Sequence, residues 1–132
     1  MIEYRIVKSV PPADMERLYR AAGWLRPEDS PDMLPEMARN SFAVCGAFDG
    51  NTLVGMMRAL SDGISDAYLL DLIVEPEYRG QGIGRAIVKT LNGHLQSLGL
   101  DWVVCIGVPG TETFYKQCGA TSMTDYAPMR FH

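Results

Sequence analysis

The sequence predicts an α/β (α+β) domain, a central mixed sheet with helices on both faces. Three observations carry that prediction. The hydrophobic period changes from helical to extended around residue 41, and the polar triplet Asp49-Gly50-Asn51 then separates two apolar runs as a hairpin turn would. Two later runs, AYLLDLIV and DWVVCIGV, are apolar on both faces, as covered central strands are.

The elements follow in order. IEYRIV alternates Ile2, Tyr4 and Ile6 against Glu3 and Arg5, a half-buried strand. PPADMERLYRAAG opens with prolines, sets Met15, Leu18, Tyr19 and Ala22 on one helical face, and ends at Gly23, which can take the left-handed cap. SPDMLPEMARN predicts a less regular helix, begun by Ser30 and Pro31 and disturbed inside by Pro35. SFAVCGAF and TLVGMMRAL are the arms of the hairpin, and the polar loop SDGISD leads into AYLLDLIV, whose apolar run is broken only by Asp71. GIGRAIVKTLNGHLQSLG is a long helix with Ile83, Ile87, Leu91, Leu95 and Leu98 on its inner stripe. DWVVCIGV is a strand, TETFYKQCGA a short helix closed by Gly119, and TSMTDYAPMRFH one or two late strands.

Composition bounds the function. At 132 residues and 47% hydrophobic, the chain is expected to be a single domain over 1–132 with its own core. A net charge of -4 argues against a nucleic-acid surface and suits neutral or cationic partners. Cys45, Cys105 and Cys118 are odd in number and show no C-x-x-C pairing, so they read as buried thiols in a reducing compartment, and no metal site is expected. The N-terminus carries no signal-like apolar stretch, and no run approaches the roughly 18 apolar residues of a membrane span. A cytoplasmic location with no membrane partner is therefore the expectation.

The segment VEPEYRGQGIGRAIVKTL places Gly80, Gly82 and Gly84 where a covered strand turns into the long helix. Orphan N–H groups and the aligned peptide dipoles make such a helix start attractive to an anion, and glycines let a phosphate approach the main chain. Arg79 and Arg85 add charge on either side. Two phosphate loops are excluded: a Walker loop needs glycine where Val88 precedes Lys89-Thr90, and G-x-G-x-x-G begun at Gly82 needs glycine where Ile87 stands.

Arg79-Gly80-Gln81-Gly82-Ile83-Gly84 resembles the R/Q-x-x-G-x-G/A signature of the GCN5-related N-acetyltransferases (GNAT superfamily), and TFYKQCGA resembles that family's later F-Y-x-x-x-G-F/A segment. The resemblance spans essentially the whole chain. It implies a mixed, mostly antiparallel sheet of six to seven strands with a splayed parallel pair, here LLDLIV and WVVCIGV. It also implies acetyl-CoA as acyl donor in the gap between them, with no metal. The main chain of Leu72, Ile73 and Val74 would hold the pantetheine arm. Residues Arg79, Gly80, Gln81, Gly82, Ile83, Gly84 and Arg85 would hold the diphosphate, and Phe114 would line the cofactor's path.

The implied reaction is attack of a primary amine on the thioester. An alkylamine is protonated near neutral pH, so the site must take a proton or lower the amine's pKa by desolvation. Asp71 is the first candidate base, direct or through water, against a purely hydrogen-bonding role; Glu75 is the second. By analogy with the family, the Val74 N–H would meet the oxyanion and Tyr115 would be the general acid for the CoA thiolate. Where the family often carries N-x-x-A before F-Y, this chain has Val108 and Thr111, which puts one side-chain contact to the pantetheine in doubt.

Trp24 stands where the resemblance puts a wall of the acceptor pocket, and Met33, Leu34, Met37, Met56 and Met57 are candidate flexible lining. Asp29, Asp32, Asp62 and Asp66 are candidates for an acidic mouth that attracts an amine. The expected partner is a small-molecule amine, with a protein amine and a homodimer left open. The competing reading is a CoA or acyl-CoA-binding sensor or partner subunit without turnover.

Overall fold

The computed structural model describes residues 1–132. Five strands, β1 (Ile2–Val7), β2 (Ala43–Asp49), β3 (Thr52–Ser61), β4 (Asp66–Val74) and β5 (Trp102–Cys105), form one sheet in sequential order. The first four are antiparallel neighbours and β4 pairs with β5 in parallel. The helices are α1 (Pro12–Ala21), α2 (Leu34–Asn40), α3 (Ile83–Ser97) and α4 (Glu112–Gln117), with a 3₁₀ turn over Pro76–Tyr78.

The sheet therefore has five strands, fewer than the six to seven expected, because residues 121–132 add none. The Tyr126 N–H donates to the Met123 carbonyl (3.1 Å), closing a turn in the middle of the segment. Pro128 then removes a ladder donor two residues later. Tyr126, Met129 and Phe131 are left exposed.

The sheet separates two apolar layers. On one face, Ile83, Ile87, Val88, Leu91 and Leu95 of α3 pack with Leu100 against Cys45, Ala47, Val54, Met57 and Leu69. On the other, Met15, Leu18 and Tyr19 of α1 and Leu34 and Ala38 of α2 pack on Val44, Leu53, Met56 and Ile73. Fully burying each such leucine or isoleucine contributes roughly 1.5–3 kcal/mol. The periodicity misplaces two residues: Ile6 and Leu98 are exposed, while Leu100, just beyond α3, is buried in place of Leu98. Pro35 lies in the first turn of α2, where its missing N–H costs no helical bond, so the helix is shorter but undisturbed.

Two features of β4 shape everything at its end. Met56 pairs with Ile73 and Arg58 with Leu70, so Asp71 and Leu72 together oppose Met57. That is a bulge, and Asp71 is the only non-glycine with positive φ in the chain, at 60°. The parallel pairing to β5 stops at Leu69 and Cys105, so the two strands part just before the bulge.

The thiol of Cys45 is fully buried between α3 and the sheet, and burial pushes its pKa up from 9.0 to about 12. The folded pKa lies above the unfolded one, so the thiol's contribution is complete below pH 9 and is lost as pH rises from 9 to 12. We expect stability to fall over that window by up to about 1.4 kcal/mol per pH unit from this group alone. Urea unfolding midpoints at pH 8, 9.5 and 11 check this, and Cys45→Val should flatten the decline.

Candidate active site

The end of β4 is held from the α1 side by charged pairs. Arg17 donates from Nε and Nη2 to the two carboxylate oxygens of Glu75 (2.8 and 3.2 Å), from Nη1 to Asp14 (2.7 Å), and from Nη2 to the Leu53 carbonyl (2.9 Å). The Leu53 N–H donates to the other Asp14 oxygen (3.0 Å). Both oxygens of Glu75 are thus engaged. Its side chain is largely buried and is not among the residues that line the cavity described below.

Asp71 is placed differently. Its Oδ2 accepts hydrogen bonds from Arg58 Nε and from the Tyr19 hydroxyl, both at 2.7 Å, whereas Oδ1 has no protein donor. Burial, with Asp71 second, pushes the Tyr19 phenol well above its ordinary range, so Tyr19 stays a donor. The left-handed backbone at Asp71 is tolerable for an aspartate and aims its side chain back toward α1.

Where β4 and β5 part there is a cavity of ≈ 270 Å³. It is lined by Trp24, Tyr68, Leu69, Leu70, Asp71, Leu72, Ile106, Val108, Thr111, Phe114 and Tyr115. The cavity therefore brings together Asp71, Leu72, Phe114, Tyr115 and the wall residue Trp24. It does not include the methionines: Met56 and Met57 are fully buried core, as is Leu34, while Met33 and Met37 lie elsewhere. The four loop aspartates are absent from it too. Asp29 is bound by Arg26 (2.8–3.1 Å) and Asp62 caps the N–H groups of Ile64 and Ser65 (2.8 and 2.9 Å).

The main chain at the gap sorts the three strand residues. Glu75 N–H bonds to Val54 O (2.8 Å) and Ile73 pairs with Met56, so by antiparallel alternation Val74 turns its own N–H away from β3. Its carbonyl also faces outward, where Arg79 Nε meets it at 3.0 Å. Ile73 directs its backbone to β3 and its side chain into the α1 core. Leu72 lies beside the cavity as the second bulge residue.

The glycine turn follows. Gly80 and Gly82 both have φ of 79°, and a Cβ at either would meet nothing within 4 Å, so their backbone angles require glycine while open space lies before them. Gly84 serves packing instead, since a Cβ there would come 3.4 Å from the Phe114 ring. Gly82 is the N-cap of α3, no side chain caps it, and the first helical bond runs from Ala86 N–H to Gly82 O (3.1 Å). The N–H groups at 83–85 are consequently without helical partners. No acidic residue occupies this first turn, and Arg79, Gln81 and Arg85 are exposed around it. The site suits an anion.

Tyr115 reaches the cavity from α4. Its ring makes an edge contact with Phe114 (centroids 5.0 Å apart), and Gly107 lets the intervening loop pass against it, where a Cβ would stand 3.5 Å away. Burial pushes the Tyr115 phenol up to about 12. Cys105 and Cys118 have raised pKa values, burial being the first cause, and neither is an activated thiolate. Thr111 Oγ1 donates to Val108 O (2.6 Å) and closes the turn before α4, so its hydroxyl is engaged locally.

A strand that parts from its neighbour beside an uncapped, glycine-built helix start leaves outward main-chain groups and an anion-favouring helix end close together. The sequence profile of the acetyltransferase (GNAT) family matches residues 12–120. The chain belongs to that family. It is 29% identical to a GNAT-family acetyltransferase of Streptococcus pneumoniae, with a TM-score of 0.83 covering 100% of this chain and 98% of that one. It is 28% identical over 111 residues to the N-acetyltransferase ycf52 of Gracilaria tenuistipitata var. liui, covering 80% of this chain and 59% of the relative. A ycf52-like N-acetyltransferase of Prochlorococcus marinus is 25% identical over 119 residues, covering 87% and 65%. The chain thus spans about six-tenths of the length of these curated relatives.

Tyr19, Arg58 and Arg17 complete the site's frame and escape sequence reading. Arg58 had a signal: it is the single cation within an otherwise apolar strand, as Asp71 is the single anion within the run 67–74 of the next.

The anion reading of the turn gives a direct expectation. Gly82→Val forces a β-branched residue into left-handed geometry, at a strain of about 1–2 kcal/mol. On the reading that the N–H groups of the turn hold the diphosphate of CoA, it should weaken CoA binding at least about tenfold in calorimetry. An unchanged affinity would remove the turn from the site.

Proposed function

We propose that the protein transfers the acetyl group of acetyl-CoA to the primary amine of a small molecule by direct attack. The observation that carries this reading is the gap itself: Leu72 and Tyr115 line its cavity, and the outward main chain of Val74 and the uncapped start of α3 follow at the same end of β4. Acetyl-CoA supplies the activated acyl group when bound. Leu72 and the Val74 carbonyl would pair with the pantetheine amides, and the N–H groups of the turn, with Arg79, Gln81 and Arg85, would hold the diphosphate. Ile83 and Gly84 seat the helix start against the sheet and Phe114.

The amine nitrogen forms a C–N bond to the acetyl carbon and loses one proton. Asp71 Oδ1, free of protein donors, accepts it directly or through a water. The Val74 N–H stabilises the oxyanion. As the C–S bond breaks, Tyr115 offers its proton to the departing sulfur, and solvent restores the phenol. With a pKa pushed up to about 12, Tyr115 keeps that proton throughout the neutral range.

Calorimetry with CoA, followed by thiol release from acetyl-CoA across a panel of amines, tests this reading. Binding with turnover is the expected result. Val108 and Thr111 support a second reading, a CoA-binding sensor or partner subunit, because neither offers a free polar side chain to the pantetheine. Binding without turnover on any amine would favour it. Absence of binding would overturn both.

A further inference from the structure

We infer that the acceptor is a monoamine on an uncharged aromatic body, an arylalkylamine, with its ring against Trp24 and its nitrogen at Asp71. The inference rests on the acetyl-transfer reading and names its substrate class.

The charge inventory of the cavity is the first argument. Asp71 is the one charged residue of its lining, and Arg58 and Tyr19 already fill Oδ2. One oxygen remains, enough to orient one amino group. A second ammonium on the same acceptor would lie among Leu70, Ile106 and Val108 with no counter-charge. The loop aspartates do not compensate, since none of Asp29, Asp32, Asp62 and Asp66 lines the cavity. Polyamines and aminoglycosides therefore fit poorly.

Anionic acceptors fail for the opposite reason. No lysine or arginine lines the cavity, and Arg58 is committed to Asp71. The carboxylate of an amino acid, or the phosphate of an amino sugar phosphate, would be desolvated beside apolar walls.

The second argument is Trp24. Its indole is 46% exposed yet not loose: Gly23 turns the chain at φ 79°, Trp24 N–H bonds to Tyr19 O (3.1 Å), and the ring packs edge-on against Tyr19 at 5.7 Å. The same Tyr19 fixes Asp71. An aromatic surface and the free carboxylate oxygen are thus held at a set separation by one residue of α1, and Tyr68 adds a second aromatic wall. A ring with a short aminoalkyl arm spans that pair, its ring stacked and its nitrogen hydrogen-bonded. In the group transfer, the C–N bond forms, the C–S bond breaks, the nitrogen gives up one proton and the sulfur gains one.

The test compares kcat/KM for phenethylamine, butylamine, phenylalanine, spermidine and a lysine peptide in the thiol-release assay. Phenethylamine should exceed butylamine by about tenfold and exceed phenylalanine and spermidine by about 100-fold. Trp24→Ala should raise KM for phenethylamine about tenfold more than it raises KM for butylamine. Should that variant fail to fold, the substrate ratios on the unmodified protein decide alone. Turnover of spermidine, phenylalanine or the peptide at or above phenethylamine would overturn the acceptor class and leave acetyl transfer standing. Thiol release with none of the five, despite CoA binding, would overturn both.

Discussion

Asp71→Asn should keep the fold and lose turnover, whereas Asp71→Ala should lose both. The two variants separate two roles of one residue. Asparagine tolerates left-handed backbone nearly as well as aspartate, and its carbonyl oxygen can replace Oδ2 as acceptor for Arg58 and Tyr19. The remaining atom, in the place of the unpartnered Oδ1, becomes an NH₂ donor that can accept no proton. We expect kcat to fall by about 10²-fold or more. Alanine keeps neither hydrogen bond, strains the bulge, and leaves the largely buried Arg58 without its anion, a loss of about 3–5 kcal/mol. Thermal unfolding and thiol-release kinetics on both variants check the pair. Full turnover by Asp71→Asn at saturating amine would confine Asp71 to architecture.

Tyr115→Phe should lower kcat by about 10²-fold with little change in acetyl-CoA affinity. The substitution removes one oxygen and retains the ring contacts with Phe114 and Gly107, so the cavity wall persists. Because burial holds the phenol up to about 12, the wild-type rate should show no alkaline decline from Tyr115 below about pH 11. The folded pKa exceeds the ordinary phenol value of 10.0, so this residue's contribution to stability is complete below pH 10 and fades between 10 and 12. A kcat unchanged in Tyr115→Phe would leave the departing sulfur to solvent and assign Tyr115 to packing.

Local signals carried most of the fold. The apolar stripe of α3, the hairpin at Asp49-Gly50-Asn51 and the covered run of β4 depend on residues close in sequence, and each element formed where expected. The glycine turn was equally legible, although its three glycines have two reasons: Gly80 and Gly82 for backbone angle, Gly84 for the approach of Phe114. What stayed hidden is long-range. Glu75 reads as a free strand-end carboxylate until Arg17, fifty-eight residues earlier, is seen to take both its oxygens. Asp71 stands out as a lone charge, but its partners Tyr19 and Arg58 come from a helix and a strand that only the folded sheet brings together. The late strands failed because alternation alone does not make a strand; residues 121–132 have the residues for one and a turn at Met123–Tyr126 in its place.

The extra residue in β4 has an outcome for how the chain tolerates change in length. Before it, odd-numbered Ala67 and Leu69 face α3; after it, even-numbered Leu72 and Val74 do, and Ile73 faces α1. A single deletion at Asp71 would therefore restore unbroken alternation, with Leu72 alone opposing Met57 between the kept pairs Arg58–Leu70 and Met56–Ile73. Ile73 would keep its face toward α1 and Val74 its face toward α3, so the deletion removes the left-handed bend that carries Asp71 and leaves the phase of the strand intact.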